Sequence, residues 1–413
     1  RNVDGIPGEI EMLAAWMDVE SPEELLAEIN SMSSWRENRL VNADRGRPDR
    51  QRSAFSSVAF DYERMYEHQP VFRYLSIFQG GFTTRSAIEI AREISSRRPD
   101  LDLKVIEFRP QDVLSSIQAL KEKNIIRQVT STGTAGEIRF RMHGSVQEFG
   151  QHRLYESGEL ENAKVAHAQC FRDLAEQAAG EMRGPLEDRL IAQLEVEHDN
   201  LRSALRWFSD IGDAENLFRL VSALWQFWNI KGHLVEGRSW LNRALAMPDD
   251  NLAALKIEAL NGAATLAWVQ DDFAEALRRG SELWRVANRE SNVFGVAESI
   301  YLMGLVSRSR QKLGPAYSDF SRALTLFQDL YQQGDVGAGP WIMLALSNLG
   351  SITLGQARDI RRSGEFDETA EILLVRAETF LEDALNHARA AKWDWGIAVC
   401  IAKLGDVELE REK

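Results

Sequence analysis

"WLNRALAM" (240–247) returns twice in altered form, as "DFSRALTL" (319–326) and "FLEDALNH" (380–387). Each copy sets an Ala-Leu pair behind a charged residue, with a bulky residue three positions before the alanine: Leu241, Phe320 and Leu381. Seven positions before the alanine stands a small residue, Gly237, Ala316 or Ala377. Residues 276–283 fit a fourth copy less well, with Ala276 and Leu283 seven apart. A second echo, "LMGLVS" (302–307), "NLGSIT" (348–353) and "KLGDVE" (403–408), marks the helices between these copies. Small residues at fixed offsets let helices approach closely while large ones fill the grooves, so the pattern predicts a solenoid of stacked helical hairpins over 156–413.

The small-large-small spacing resembles tetratricopeptide repeats. Copies stand about 40 residues apart, longer than the usual 34 or so, and roughly fifteen extra residues separate Gly350 from the next second helix. Trp225, Trp228, Trp240, Trp268 and Trp284 fall at helical spacings in the repeats, with Trp207 just before them. They are expected to pack between helices, since tryptophan buries much area per residue. An aromatic ligand groove on the inner face is the alternative.

Upstream, 55–155 mixes helices with strands. "PVFRYLSIF" (70–78) reads as an apolar helix stopped by Gly80-Gly81, and "TTRSAIEIAREI" (83–94) as the next, with a threonine available as cap. "PQDVLSSIQALKEKN" (110–124) starts on a proline and ends in lysines that suit a helix C-terminus. Then "IIRQVTS", a "TGTAG" turn and "EIRFRM" make a hairpin, in which alternation points Ile138, Phe140 and Met142 to one face and Arg139 and Arg141 to the other. After Met142 the period turns helical, so His143 stands just ahead of a helix N-terminus. Helices followed by a two-stranded wing predict a winged helix. Its candidate recognition helix carries Gln111, Asp112 and Gln118 and gains charge only at Lys121 and Lys123, which argues against DNA reading. Residues 1–54 hold two helices within 9–31, then an arginine-rich linker, "NRLVNADRGRPDRQRSA" (38–54).

Charge points the same way. Residues 1–54 carry 7 basic and 11 acidic side chains, 55–155 carry 14 and 12, and 156–413 carry 28 and 40. An acidic repeat region repels phosphate backbones. Hydrophobic content of 44% with 27% charged residues indicates a soluble globular chain without a membrane span or signal peptide. Two distant cysteines, Cys170 and Cys400, fit a reducing, cytoplasmic setting.

Catalytic signatures do not emerge: the sequence holds no phosphate-cradling loop, no H-E-x-x-H and no G-x-S-x-G. No catalytic residue and no metal ligand is therefore assigned, and the chain by itself is not expected to be an enzyme. In "EVEHDN" (195–200), Glu195 and Asp199 would share a helix face, and a metal there is the sharper reading; Asp199 or Asn200 capping the following helix is the plainer one.

"LSIFQGGF", "RFRMHGSVQEFG" and "EHDNLRSAL", in that order and with "NVDGIPGEIEMLAAWM" ahead of them, resemble bacterial STAND (NB-ARC-like) signal-transduction ATPases, a family that includes large transcription regulators. The resemblance implies the end of a helical lid with linker (1–54), a winged helix (55–155) and a repeat sensor (156–413), with an ATPase core ahead of them as intramolecular partner. It also implies a protein or small-molecule inducer on the repeats and an oligomer on activation. Gly5-Ile6-Pro7 matches the family's Gly-x-Pro motif, whose proline packs on adenine, and Met142-His143-Gly144 its Met-His-Asp motif, whose histidine reaches the diphosphate of ADP. Pro7 and His143 are thus the implied cofactor residues, with ADP or ATP expected in the complete protein and not on this chain alone. Gly144 departs from the family's aspartate. From the residues alone, His143 also reads as a packed or capping histidine. The competing function is a free-standing interaction scaffold without nucleotide dependence; a Walker motif encoded upstream of Arg1 would separate the two.

Overall fold

The structure, a computed structural model, describes residue 58 and residues 62–96, 108–130, 138–248, 252–363 and 367–412. Pro7, the two helices within 9–31, the linker 38–54 and the "TGTAG" turn lie outside the described residues. Two compact units emerge, one of Arg1–Phe171 with Val196–Trp207 and the other of Arg172–Glu195 with Phe208–Lys413.

In the first unit, α1 (Gln69–Leu75) opens on Pro70 and buries Val71, Phe72, Tyr74 and Leu75. The chain leaves the region after it through Gly80 and Gly81, at φ 75° and 104°. A Cβ at Gly81 would sit 2.6 Å from the Phe140 carbonyl oxygen, so only glycine lets the backbone pass so close to the sheet. Next come β1 (Phe82–Thr83) and α2 (Thr84–Ser96). Thr83 does act as a cap: its Oγ1 accepts from the Ser86 amide at 3.1 Å, while the Thr83 amide donates to Ser86 Oγ at 3.0 Å. Helix α3 (Pro110–Glu122) is closed at its start by the Arg109 amide donating to Asp112 at 3.1 Å.

Strands β2 (Ile126–Thr130) and β3 (Ile138–Met142) pair antiparallel, but the wing has a third strand: β1 pairs with β3, and the sheet order is β1-β3-β2. Two residues are too short to show alternation, which is why the sequence hid β1. The expected alternation of β3 also fails at one end. Ile138 is half exposed, whereas Arg139 is 4% exposed. Its guanidinium is buried because it faces Glu197, a partner that no local pattern reveals. After β3, α4 (Gly144–Glu156) packs on α1, with Gly150 against Ser76 and Phe72. Helix α5 (Leu160–Glu181) follows, then α6 (Glu187–Val196) and α7 (His198–Asp210).

The second unit is a run of helices: α8 (Ala214–Lys231), α9 (Leu234–Leu245), α10 (Ala253–Val269), α11 (Phe273–Arg289), α12 (Val293–Ser309), α13 (Leu313–Gln332), α14 (Ala338–Ser363), α15 (Asp367–Ala390) and α16 (Asp394–Arg411). Consecutive helices pack in pairs, and the first helices also pack on one another, α8 on α10, α10 on α12 and α14 on α16. This is the expected tetratricopeptide-like solenoid, so the chain is mainly α with one small sheet.

The repeat pattern works as close packing. Leu241, Phe320, Leu381, Ala244, Ala323 and Ala384 are fully buried, as are Ala276 and Leu283 of the weaker copy. A Cβ on Gly304 would come within 2.9 Å of the Phe320 ring, and one on Gly350 within 2.8 Å of Leu381. A single residue at positive φ ends one helix before the next begins, as at Gly212, Gly232, Asp271, Ser291, Gln311 and Lys392. The following amide usually reaches five residues back, as from Asp272 to the Ala267 carbonyl at 2.9 Å and from Trp393 to Ala388 at 3.0 Å. That is a Schellman closure, and the turns at Asp271, Ser291, Gln311 and Lys392 make it without glycine. The extra residues after Gly350 lengthen α14 and α15 to 26 and 24 residues. Cys170 and Cys400 are not joined in a disulfide.

Candidate functional site

His143 follows the central strand of the sheet and occupies the N-cap of α4, with extended backbone (φ −69°, ψ 152°) and no capping hydrogen bond from its ring. It is partly exposed. Imidazole lacks the short oxygen that normally binds N2 or N3 amides, so this N-terminus has no side-chain cap from its N-cap residue. The first turn of α4 holds no acidic residue. At the start of α4 opens a cavity of about 160 Å³, lined by Phe78, Gly80, Gly81, Arg141, Gly144 and Gln147 among others; Met142 and Gly144, on either side of His143 in sequence, line it, and His143 itself does not. Arg141, exposed, forms no ion pair with a described residue. A helix N-terminus with a cationic guanidinium beside it is an environment that favours an anion.

This corner is held by "EHDN". The Gln147 side chain donates to the Phe78 carbonyl at 2.6 Å and Gln151 to Ser76 at 3.0 Å, which ties α4 to the turn after α1. From the other side Asn200, fully buried, accepts from the Gln79 amide at 2.7 Å and donates to the Gly81 carbonyl at 3.0 Å. Its amide nitrogen also reaches Glu197 at 2.7 Å. Glu197 in turn receives both Arg139 amino groups, and Arg139 donates to the Gly81 carbonyl at 3.2 Å. His167 lies 3.2 Å from Asn200 Oδ1. Burial pushes its imidazole down to about 4, so the ring is neutral; since Oδ1 accepts, Nε2 carries the proton.

The Glu195–Asp199 pairing behind the metal reading of 195–200 fails on geometry. Helix α6 ends at Val196 and α7 begins at His198, so Glu195 and Asp199 do not share a helix. Glu195 instead lies near Lys231 and His233, and Asp199 near Arg202. The capping reading fails too, because Asp199 and Asn200 lie inside the first turn of α7. Sequence reasoning missed Asn200, Glu197 and Arg139 as a network. The clue was present: a run of four polar residues between two amphipathic helices, within an otherwise patterned stretch. In α3, Lys121 donates to Gln128 at 3.0 Å and Gln118 to Glu122 at 2.8 Å, so these two side chains have partners within the unit.

No family model matches the chain. Over 249 residues, 59% of its length, it is 30% identical to proteins named as candidate HTH-type transcriptional regulators in Mycobacterium bovis and in two strains of Mycobacterium tuberculosis. The match spans 26% of each of those proteins. A crystal structure from Pyrococcus horikoshii, a signal-transduction ATPase with numerous domains (STAND) and a tetratricopeptide repeat sensor, aligns over 98% of this chain and 57% of its own, at 13% identity and a TM-score of 0.42. No helix among the described residues is long and apolar enough to cross a membrane. By sequence, then, the chain is a partial relative of mycobacterial proteins named as transcription regulators, in line with the family its motifs resemble.

Proposed function

We propose that this chain is the regulatory and sensor half of a nucleotide-switched signal transducer that controls transcription from the cytoplasm, its repeats taking the inducer and its winged helix gating an ATPase core. One observation carries the reading: His143 at the N-cap of α4, its ring engaged in no capping bond, between Met142 and Gly144, which line a cavity together with the Gly80-Gly81 turn and Arg141. A diphosphate is the group this corner would take. His143, when protonated, would donate to a phosphate oxygen, Arg141 would offset charge, and the start of α4 would add favourable potential. ADP or ATP would belong to the complete protein, and the isolated chain would turn over neither. Gly144 provides no carboxylate to orient the imidazole, so the closed state would be held more weakly than in relatives with aspartate.

The test needs the ATPase core restored. His143→Ala should speed fluorescent-ADP release roughly 10- to 150-fold, the equivalent of losing ~1.5–3 kcal/mol from the closed state. Equal release at matched folded fraction would remove His143 from the site and favour the nucleotide-independent scaffold.

A further inference from the structure

Arg183 lies between α5 and α6 with φ 63°, a left-handed conformation that a non-glycine residue adopts at a cost. Its guanidinium carbon sits 4.4 Å from the ring centre of Trp341 and 5.9 Å from that of Trp225. Both rings are nearly buried and fixed in place. Trp341 stacks on Phe327 at 5.5 Å and meets Tyr301 edge-on, also at 5.5 Å. Trp225 is pinned by Gly262, where a Cβ would come within 2.7 Å of it. Trp225 belongs to α8, Glu258 to α10, Glu298 and Tyr301 to α12 and Trp341 to α14, so the first helices of four successive pairs meet around this one side chain.

The carboxylates make this more than packing. Glu298 is 3% exposed; its Oε1 accepts from Asn261 at 2.8 Å, while its Oε2 is buried with no hydrogen-bond partner. Burial pushes the Arg183 guanidinium down from its ordinary value, against the weaker pull of Glu298, Tyr301, Glu187 and Glu258, and it forms no ion pair with a described residue. Its guanidinium therefore takes the aromatic faces and leaves Glu298 Oε2 unfilled; burial and the neighbouring Glu258 push the Glu298 carboxyl well above the usual carboxylate range, a shift that a cation donating to it would reverse. A planar cation that stacked on Trp341 and also donated to Glu298 would satisfy both, and guanidinium is the group whose shape does so.

We propose that the first-helix face of the repeats is a guanidinium-recognition site, built by Trp225, Trp341, Glu258 and Glu298, which Arg183 occupies in cis and an arginine-like ligand, free or within a peptide, takes in trans. The proposal rests on reading the repeats as the sensor, and it names the chemistry they sense. Wild-type chains bind the ligand only in the fraction from which Arg183 has left, so vacating the site raises apparent affinity.

Calorimetric titration of the 413-residue chain with arginine amide, and with an acetylated Gly-Arg-Gly amide, tests this. Glycine suits the backbone at position 183, so R183G removes the occupant and relieves the strain. Arginine amide or the tripeptide should bind R183G at least about tenfold tighter than wild type, with lysine amide weaker; which of the two binds tighter identifies the source. E298Q added to R183G should abolish the gain. Equal affinities for R183G and wild type, no binding to either, lysine binding as well as arginine, or a gain that survives E298Q would each overturn the proposal. Should R183G lose its helical circular dichroism, R183K takes its place, keeping stem and charge without the planar fork; unchanged arginine affinity there would be equally fatal. Failure here leaves the ADP-release test standing, because that test reads the His143 corner.

Discussion

Asn200 is the residue on which the His143 corner should depend most, and its replacement by alanine measures that dependence. The side chain is fully buried and makes hydrogen bonds to the Gln79 amide, the Gly81 carbonyl, Glu197 and His167. Each lost bond costs about 0.5–1.5 kcal/mol net, and a buried partner left unsatisfied costs about 1–3 kcal/mol. Relaxation and water entry spare some of the sum, which leaves roughly 3–5 kcal/mol for Asn200→Ala, as for breaking a buried ion pair. At about 2–4 °C per kcal/mol for a unit of this size, the melting midpoint should fall by roughly 6–20 °C. Asp199→Ala is the internal control: its side chain is 61% exposed, pairs with Arg202 at 3.4 Å and lies against Gly80 without a hydrogen bond to the turn, so it should move stability by no more than about 1 kcal/mol. Thermal melts followed by circular dichroism compare the two. If Asn200→Ala melts within about 2 °C of wild type, or no lower than Asp199→Ala, the network is not what holds this turn.

His167 gives the pH dependence. Its folded pKa, about 4, lies below the ordinary 6.5, so between those values the unfolded chain binds the extra proton and stability falls as pH drops from 6.5 towards 4. The loss is about 3 kcal/mol, and urea midpoints should show it attenuated in His167→Gln, which keeps a donor to Asn200; parallel pH profiles would refute it. Gly304→Ala should destabilise by about 1–3 kcal/mol because the new methyl meets Phe320, whereas Gly405→Ala, with nothing within 4 Å, should be neutral or gain up to about 1 kcal/mol of helix propensity. Duplex DNA should bind the chain weakly, without sequence preference and with steep salt dependence; a nanomolar, sequence-specific complex at physiological salt would overturn that expectation.

The solenoid was legible because close helix packing must repeat wherever the same two helices meet. Gly304 and Phe320, or Gly350 and Leu381, are single contacts written twice, and a periodic constraint leaves a periodic trace. Arg139 follows the opposite logic. Alternation marks a side chain as outward when it is charged, and only a carboxylate 58 residues away, itself inside a polar run, makes inward the better direction. The strand β1 was hidden for a related reason: its two residues are held by pairing with β3, not by any propensity of their own. His143 stood between these cases. The change of period fixed its place at a strand–helix junction, but the cavity at the start of α4 required Gly80, Gly81 and Arg141 to converge, with Asn200 bonded to the turn. Local sequence placed the histidine, whereas its surroundings come from residues some 60 positions to either side. That separation also explains why "EHDN" invited a metal. Four polar residues in a row suggest a ligand when read alone, and in the fold two of them serve a glycine turn.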